Sequence, residues 1–339
     1  MILPLGKIPK DLLEKVVFSH LGIERNEVAV GPLAGFDAAV LNAGNKSIVV
    51  STDPITGALE RVGWLAVNVN ANDVATFGVE PAFFLSCIML PEKSDSRMVE
   101  TISIQMDKAA KALGMAIVGG HCESTPGLTS PIVVGCAMGI TGKGEYVTSG
   151  GAKPGDKLIL TKSVGIEGTA ILASDRRELL RKTLGADLLR KAERFYERIS
   201  VVKDAVTAFK TGFVHAMHDP TEGGLAGGTH EMADAASLGV RILEEKIRIE
   251  PETAEICDFF RIDPLQVIAS GSLLIAVEGN SADKVVKALE RNHIEAAVIG
   301  EFVSSPKERL ITRENSKVER LVRPVADHLW QALEKPSTT

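Results

Sequence analysis

The feature that most constrains this chain is a repeated change of period. Short β-branched or apolar runs alternate with longer stretches of helical spacing. NKSIVVSTD (45–53) reads as a strand ending in a carboxylate. Residues 61–77 read as a helix with Trp64, Val67, Ala71, Val74 and Ala75 on one face. AFFLSCIML (82–90) reads as a strand, and 97–113 as a helix stopped by Gly114. MAIVGG (115–120) and PIVVGCAMGIT (131–141) read as two further buried strands. No helix separates these last two, so the order predicts mixed α/β structure and not a simple doubly wound sheet.

The Gly/Lys/Pro-rich stretch EYVTSGGAKPGDK (145–157) is the candidate boundary between two domains, 1–150 and 151–339. Two domains suit a length of 339 residues. The second half restarts with a strand at KLILTKS (157–163), followed by helical patterns over 167–212. HAMHDPTEGG (215–224) reads as a polar, glycine-rich loop opening a helix at about 222–237. Strands are expected at 240–245 and 272–278, with an amphipathic helix at 281–292 capped by Ser281. AAVIGEFV (296–303) and RLITREN (309–315) read as a closing pair of strands, and a short helix and polar end follow Pro324.

Composition removes several function classes. A net charge of −6 argues against nucleic acid as the main partner, because phosphate binding needs a basic field. Aromatic residues are only 4%, which disfavours stacking on single strands. No apolar run approaches the roughly 20 residues of a membrane span, and the N-terminus lacks a signal-peptide core. Cys87, Cys122, Cys136 and Cys257 are scattered without a CxxC pair, as expected of a chain in a reducing cytoplasm. There is no Walker loop, no G-x-G-x-x-G and no G-x-S-x-G elbow. The start of a zinc-protease motif at His230-Glu231 fails, because Asp234 stands where the second histidine is needed.

The remaining polar residues are informative. Asp37 lies between a glycine and an apolar strand, Asp53 at the mouth of a strand, and Asp73 on a helix also carrying Asn68, Asn70 and Asn72. Asn70 and Asp73, three apart, share a face. Glu123 follows the corner AIVGG, beside His121 and Cys122. Oxygen ligands gathered at strand and helix ends suit Mg²⁺ with substrate phosphates. Taken singly, each aspartate also reads as a turn or helix cap, and the asparagines either face solvent or line a polar site. In the second half, His215, His218, Asp219, Thr221 and Glu222 crowd a corner ending in Gly223-Gly224. Such a corner is either an anion site at a helix N-terminus or a tight turn capped by Asp219 or Thr221.

The ordered set GFDAAV, STD, LAVNVNANDVATFGVEP, IVGGHCESTPG and HAMHDPTEGGLAGGTHEMADAA resembles the AIR synthase (PurM) superfamily. Within it, the likeness is to the hydrogenase maturation factor HypE and its archaeal relatives, from about Leu3 to the strands near 310. The resemblance implies a two-domain α/β fold and a homodimer whose N-terminal mixed sheets form a barrel across the two-fold. It also implies ATP in the clefts, Mg²⁺ (or Mn²⁺) on N-domain carboxylates, and phosphoryl transfer to a small acceptor. Asp37, Asp53, Asp73 and Glu123 match the metal-holding positions, and Asp37, Asp219 and Glu222 the catalytic ones. Lys7, Asn68, Asn70, Gly119, Gly120, Gly223 and Gly224 match the nucleotide-binding segments.

There are departures from the pattern. Phe36 replaces the first of a pair of acids, and His121 stands where relatives place an acid. These motivate an alternative, a nucleotide-binding maturation or scaffold protein that has lost catalysis. Cys122 beside His121 is a weaker candidate nucleophile, since neighbours on a strand point opposite ways. HypE proper carries a terminal cysteine, whereas this chain ends ALEKPSTT, where Ser337, Thr338 and Thr339 are poor nucleophiles. The acceptor is therefore expected to be a free small molecule, or a group brought by a maturation partner protein.

Overall fold

The computed structural model describes residues 6–8, 10–56 and 60–334. A short helical stretch, α1 (Lys10–Leu12) and a π turn at Leu13–Val17, leads into a six-stranded sheet. Its strands are β1 (Val28–Val30), β2 (Ala39–Ala43), β3 (Lys46–Ile55), β4 (Pro81–Leu90), β5 (Ala116–Ser124) and β6 (Ile132–Gly142). They lie in the order β1-β2-β3-β6-β4-β5, antiparallel except for the parallel β4–β5 pair. Helices α2 (Val62–Ala75) and α3 (Ser96–Ala112) connect them. Gly114, at φ +69°, ends the second as its sequence position predicts.

The C-terminal sheet has seven strands: β7 (Lys157–Thr161), β8 (Val214–His218), β9 (Gly239–Leu243), β10 (Leu274–Val277), β11 (Ala296–Val303), β12 (Arg309–Thr312) and β13 (Val318–Arg320). Their order is β13-β12-β9-β11-β7-β10-β8. Helices α4 (Ile166–Asp175), α5 (Arg177–Glu193), α6 (Val202–Phe209), α7 (Gly224–Ala235), α8 (Pro251–Phe260), α9 (Ala282–Arg291) and α10 (His328–Glu334) complete the described chain. None of the described helices is long and apolar enough to cross a membrane.

The helix α2 organises the molecule. The sequence reading gave it one apolar face, but it is buried around its whole circumference, with only Trp64 partly exposed. On one side lie β3 and β6, on the others α3 and α6. Glycines in β6 permit the close approach. A Cβ at Gly135 would collide with the Asn70 amide, and one at Gly139 would meet Val74 and Val79 at 2.8 Å. A helix buried on all sides must pair every polar side chain it carries. Asn72 does so across the domains: its Nδ2 donates to Ile199 O (2.9 Å) and its Oδ1 accepts from Val201 N (2.8 Å). One apolar core then runs from α2 and α3 into α4, α5 and α8.

Several expectations need correction. MAIVGG was read as a buried strand, yet β5 is exposed at every position. Among the described residues it is an edge strand with β4 as its single strand neighbour, and α3 touches it without burying any of its residues. Ile117 and Val118 are left 41% and 54% exposed. Residues 215–218, read as loop, form most of β8. The runs at 296–303 and 309–315 do not pair with each other, because β9 lies between β11 and β12. The helical stretch 167–212 is broken at Gly185 (φ 81°) and by the 3₁₀ turn Arg194–Arg198. Ser281 precedes α9 but does not cap it, since its hydroxyl bonds Glu278 at 2.9 Å. Ser337, Thr338 and Thr339 lie outside the described residues.

The Asn72 bridge gives a direct test. Replacing Asn72 by Ala orphans a buried backbone N–H and a carbonyl, at a cost of about 1–3 kcal/mol. Asn68 donates only to Trp64 O of its own helix, at 2.9 Å. Urea denaturation should show Asn72→Ala destabilised by clearly more than Asn68→Ala; equal losses would mean the bridge carries no weight.

Candidate functional site

Strand periodicity begins the site. Alternate residues of β3 face α2, which turns Ser51 and Asp53 inward. The α2 spacing then sets Asn70 and Asp73 opposite them. Asn70 braces the strand backbone: Asp53 N donates to its Oδ1 at 2.8 Å, and its Nδ2 donates to Asp53 O at 3.2 Å and Ala66 O at 2.8 Å. Ser51 Oγ lies 2.6 Å from Asp73 Oδ2 and 2.8 Å from Asp37 O. One hydroxyl proton would be shared between the two acceptors, and a protonated Asp73 relieves that competition by donating to Ser51. Burial, with Asp53, Asp219 and Asp37 nearby, holds Asp73 well above the usual carboxylate range, in keeping with that donation.

Strand β8 delivers His218 from the other domain. Its Nδ1 donates to the Asp37 carboxylate (2.8 Å to Oδ1, 2.9 Å to Oδ2) and its Nε2 to Glu231 Oε2 on α7 (2.8 Å). Burial opposes its charge, but Asp37 and Glu231 outweigh that and push it up to about 10. His218 is thus an imidazolium clamped between two carboxylates. Glu231, half-buried, is held far below its ordinary value by Lys7 and His218.

The N-terminal Gly6-Lys7 docks on the next loop. Lys7 N donates to Glu222 Oε2 (2.6 Å), and Lys7 Nζ reaches Thr221 Oγ1 (2.9 Å) and Glu231 Oε1 (3.8 Å). Gly6 adopts φ +86°, where a side chain is strained, and a Cβ there would also crowd the Glu222 carboxylate.

Asp219 is the least satisfied member. It is buried, and neither carboxylate oxygen has a hydrogen-bond partner. Burial and the Asp37 charge push it up to about 8. Burial raises Asp53 as well, with Lys7 opposing. Glu167 on α4 is also buried with Oε2 unpartnered, and burial pushes it to about 7.

Ligand atoms of Asp37, His218 and Asp219 lie within 4.8 Å of one another. His218 spends both nitrogens on carboxylates and is protonated, so it is a counter-ion and not a ligand. The carboxylate oxygens remain, hard donors gathered without enough positive charge. That donor set fits Mg²⁺ or Mn²⁺, which Asp37, Asp53, Asp73 and Asp219 would hold.

The other sequence candidates lie elsewhere. Gly120 sits in the cross-sheet row Asp53–Gly135–Ser86–Gly120, three strands or about 14 Å from Asp53. Gly119 and Glu123 share its strand, so this chain alone does not bring them to the aspartates. Glu123 accepts from Thr125 Oγ1 (2.9 Å) and pairs with His121 (3.2 Å), which hold it below its usual value. His121 and Glu123 share one face of β5, and strand alternation turns the exposed Cys122 to the other. Asn68 is turned into its own helix. His215 pairs with Asp156 at 2.9 Å, away from the cluster.

The glycine corner differs from the anion site that its sequence suggests. Gly223 (φ +80°) and Gly224 (φ +58°) do open α7. The Gly223 amide, however, donates to Asp327 Oδ2 at 2.6 Å, and Leu329 N donates to Asp327 Oδ1 at 2.7 Å. A carboxylate from the C-terminal segment thus takes one of the amides at this corner. Burial pushes Asp327 up to about 6. Glu231, Glu167 and Asp327 were missed by the sequence reading. The one signal for Glu231 was its place in the failed zinc motif, where it was set aside.

Residues 35–141 match the family described as AIR synthase related protein, N-terminal domain, and 153–313 match the corresponding C-terminal domain. A putative hydrogenase expression/formation protein of Methanocaldococcus jannaschii is 28% identical over 87% of this chain and 88% of its own length. Carbamoyl dehydratase HypE of Rhizobium leguminosarum bv. viciae is 30% identical over 80% of this chain and 78% of its own. HypE in its crystallised complex with HypF shares the fold at TM-score 0.76, with 24% identity over 92% of this chain and 99% of that one. HypE crystallised with ATP does so at TM-score 0.68, with 21% identity over 97% and 98%. Together the two domain matches cover most of the chain, which belongs to the AIR synthase related protein family.

Proposed function

We propose that this protein is an ATP-dependent enzyme that activates a small acceptor by phosphoryl transfer, with Mg²⁺ or Mn²⁺ as the bridging cation. The observation that carries the reading is Asp219: a buried carboxylate with two empty oxygens, ringed by Asp37, Asp53 and Asp73. Such a group is stable only when protonated or when a cation joins it. The relative crystallised with ATP supports the choice of nucleotide. The cation would neutralise the triphosphate, and this chain's residues would position it. Lys7 stands beside the cluster as a hydrogen-bond donor for a phosphate, while His218 holds the Asp37 and Glu231 carboxylates in place. Glu222 anchors the Lys7 segment.

The departures in sequence do not remove a member of the cluster. Phe36 packs on Gly150, and His121 lies on the outer face of β5. That favours an active enzyme over a scaffold that has lost its chemistry. The acceptor reading is a free small molecule, or a group brought by a maturation partner, as the HypF complex of a relative suggests. Cys257 is buried in α8 and its thiol is pushed up to about 12, so it supplies no thiolate at neutral pH.

We also propose a homodimer. The edge strand β5 presents unpaired backbone and the apolar Ile117 and Val118, and Ile140 of β6 is 50% exposed. Bare parallel edges of this kind are normally covered. A partner seated there is also the route by which Gly119, Gly120 and Glu123 would meet a nucleotide.

Three outcomes test these readings. Asp53→Asn and Asp219→Asn should weaken ATP binding by at least about tenfold in Mg²⁺ and little in EDTA; equal weakening in both buffers would exclude a role through metal. In EDTA, stability should fall as pH rises from 4 towards 8. The raised folded value makes Asp219 bind a proton that the unfolded chain has lost, and that advantage disappears on passing about 8. Asp219→Asn should flatten the slope of Tm against pH, and an unchanged slope would contradict the assignment. Light scattering should return about twice the chain mass, whereas a monomer at micromolar concentration would rule out the dimer.

A further inference from the structure

A second charged feature lies outside the aspartate cluster. It is a groove of about 860 Å³ between α7 and the β12–β13 end of the C-terminal sheet. Lys307, Arg309, Arg320 and Arg323 line it, against a single carboxylate, Asp234. On a chain of net charge −6, this is a local excess of three positive charges with His230 neutral.

The excess is built into the fold. Arg309 is buried, with NH2 donating to Asp234 Oδ1 (2.8 Å) and NH1 to Leu238 O (2.6 Å) and Pro306 O (2.7 Å). Arg323 bonds the other Asp234 oxygen, so one carboxylate serves two guanidiniums. Neighbouring acids are drawn off to other partners. Glu308 pairs with Arg241, and Glu319 with Arg313 and Lys317. Strand alternation in β13 separates Glu319 from Arg320. Among the described residues, Lys307 and Arg320 have no ion-pair partner, and both are exposed. The His230 ring is buried beside these arginines, with Nε2 bonded to Leu321 O (3.0 Å), and burial with the Arg323 charge lowers it to about 4.

We propose that this groove is a binding site for a small multivalent oxyanion, carrying phosphate or carboxylate groups and about three negative charges. The rest of the lining is the buried His230, one proline and aliphatic side chains, with no Phe, Tyr or Trp. The anion groups themselves are what the groove reads. The site is independent of the proposed ATP reaction, and its cations come from β12, β13 and their flanking turns.

Calorimetric titration in EDTA, with pyrophosphate in one arm and citrate in the other, tests the proposal. One equivalent should bind, and the Lys307→Ala/Arg320→Ala double variant should weaken it by at least about tenfold. Both residues are exposed and unpaired, so the variant should keep its circular dichroism and its ATP·Mg²⁺ binding. Asp53→Asn should leave the anion titration unchanged. Binding of pyrophosphate alone assigns the site to phosphates, and binding of both assigns it to charge and oxygen geometry. No saturable binding of either anion at millimolar concentration would overturn the proposal. So would binding that survives the double variant but is lost in Asp53→Asn.

Discussion

Burying α2 on every side is the constraint from which the rest follows. A helix with no solvent face has to satisfy each polar group inside the protein, where an unmet one costs a few kcal/mol. Four such groups lie within residues 68–73, and each finds a different solution. Asn68 turns back on its own helix, Asn70 grips β3, Asn72 crosses to the other domain, and Asp73 shares a proton with Ser51. The fastening of the helix and the placing of Asp73 are therefore built from the same six residues of chain. The side chains that fasten the helix also fix the aspartate at its mouth.

Charge is distributed with similar economy. His218 is a cation between two carboxylates, so Asp37 and Glu231 find their partner inside the protein. Asp219, one residue on, receives none of that bonding and is left short of a partner. Adjacent residues at one strand end are thus both pushed upward, His218 to about 10 by its carboxylate partners and Asp219 to about 8 by burial. Groups perturbed in this way are the usual mark of a site that handles charge.

Much of this was legible in the sequence, and the limits have physical causes. Asp53 and Asp73 could be placed because period two in a strand and three-residue spacing in a helix are local rules. Asp37 and Asp219 came from their glycine-flanked corners. Glu231 and Asp327 could not be placed, since folding brings them partners from far along the chain: Lys7 comes to Glu231 from the N-terminus, and Gly223 reaches Asp327 over 104 residues. The glycine corner misled because its free amide was counted without the carboxylate, 104 residues later, that consumes it. The β5 run misled in the other direction. Apolar residues signal that something covers them, but not whether the same chain provides the cover.

The docking of Gly6-Lys7 on Thr221 and Glu222, with Asp327 closing the corner behind them, has a consequence for biosynthesis. As the chain leaves the ribosome, the N-terminal sheet can form early from neighbouring segments. Its lysine has no berth until residues some 215 positions later have emerged, and the corner itself waits for Asp327. Contacts of such long separation close late. The acidic cluster is thus completed only when nearly the whole chain has been made. A truncated nascent chain therefore lacks the closed corner and leaves Lys7 without its partners.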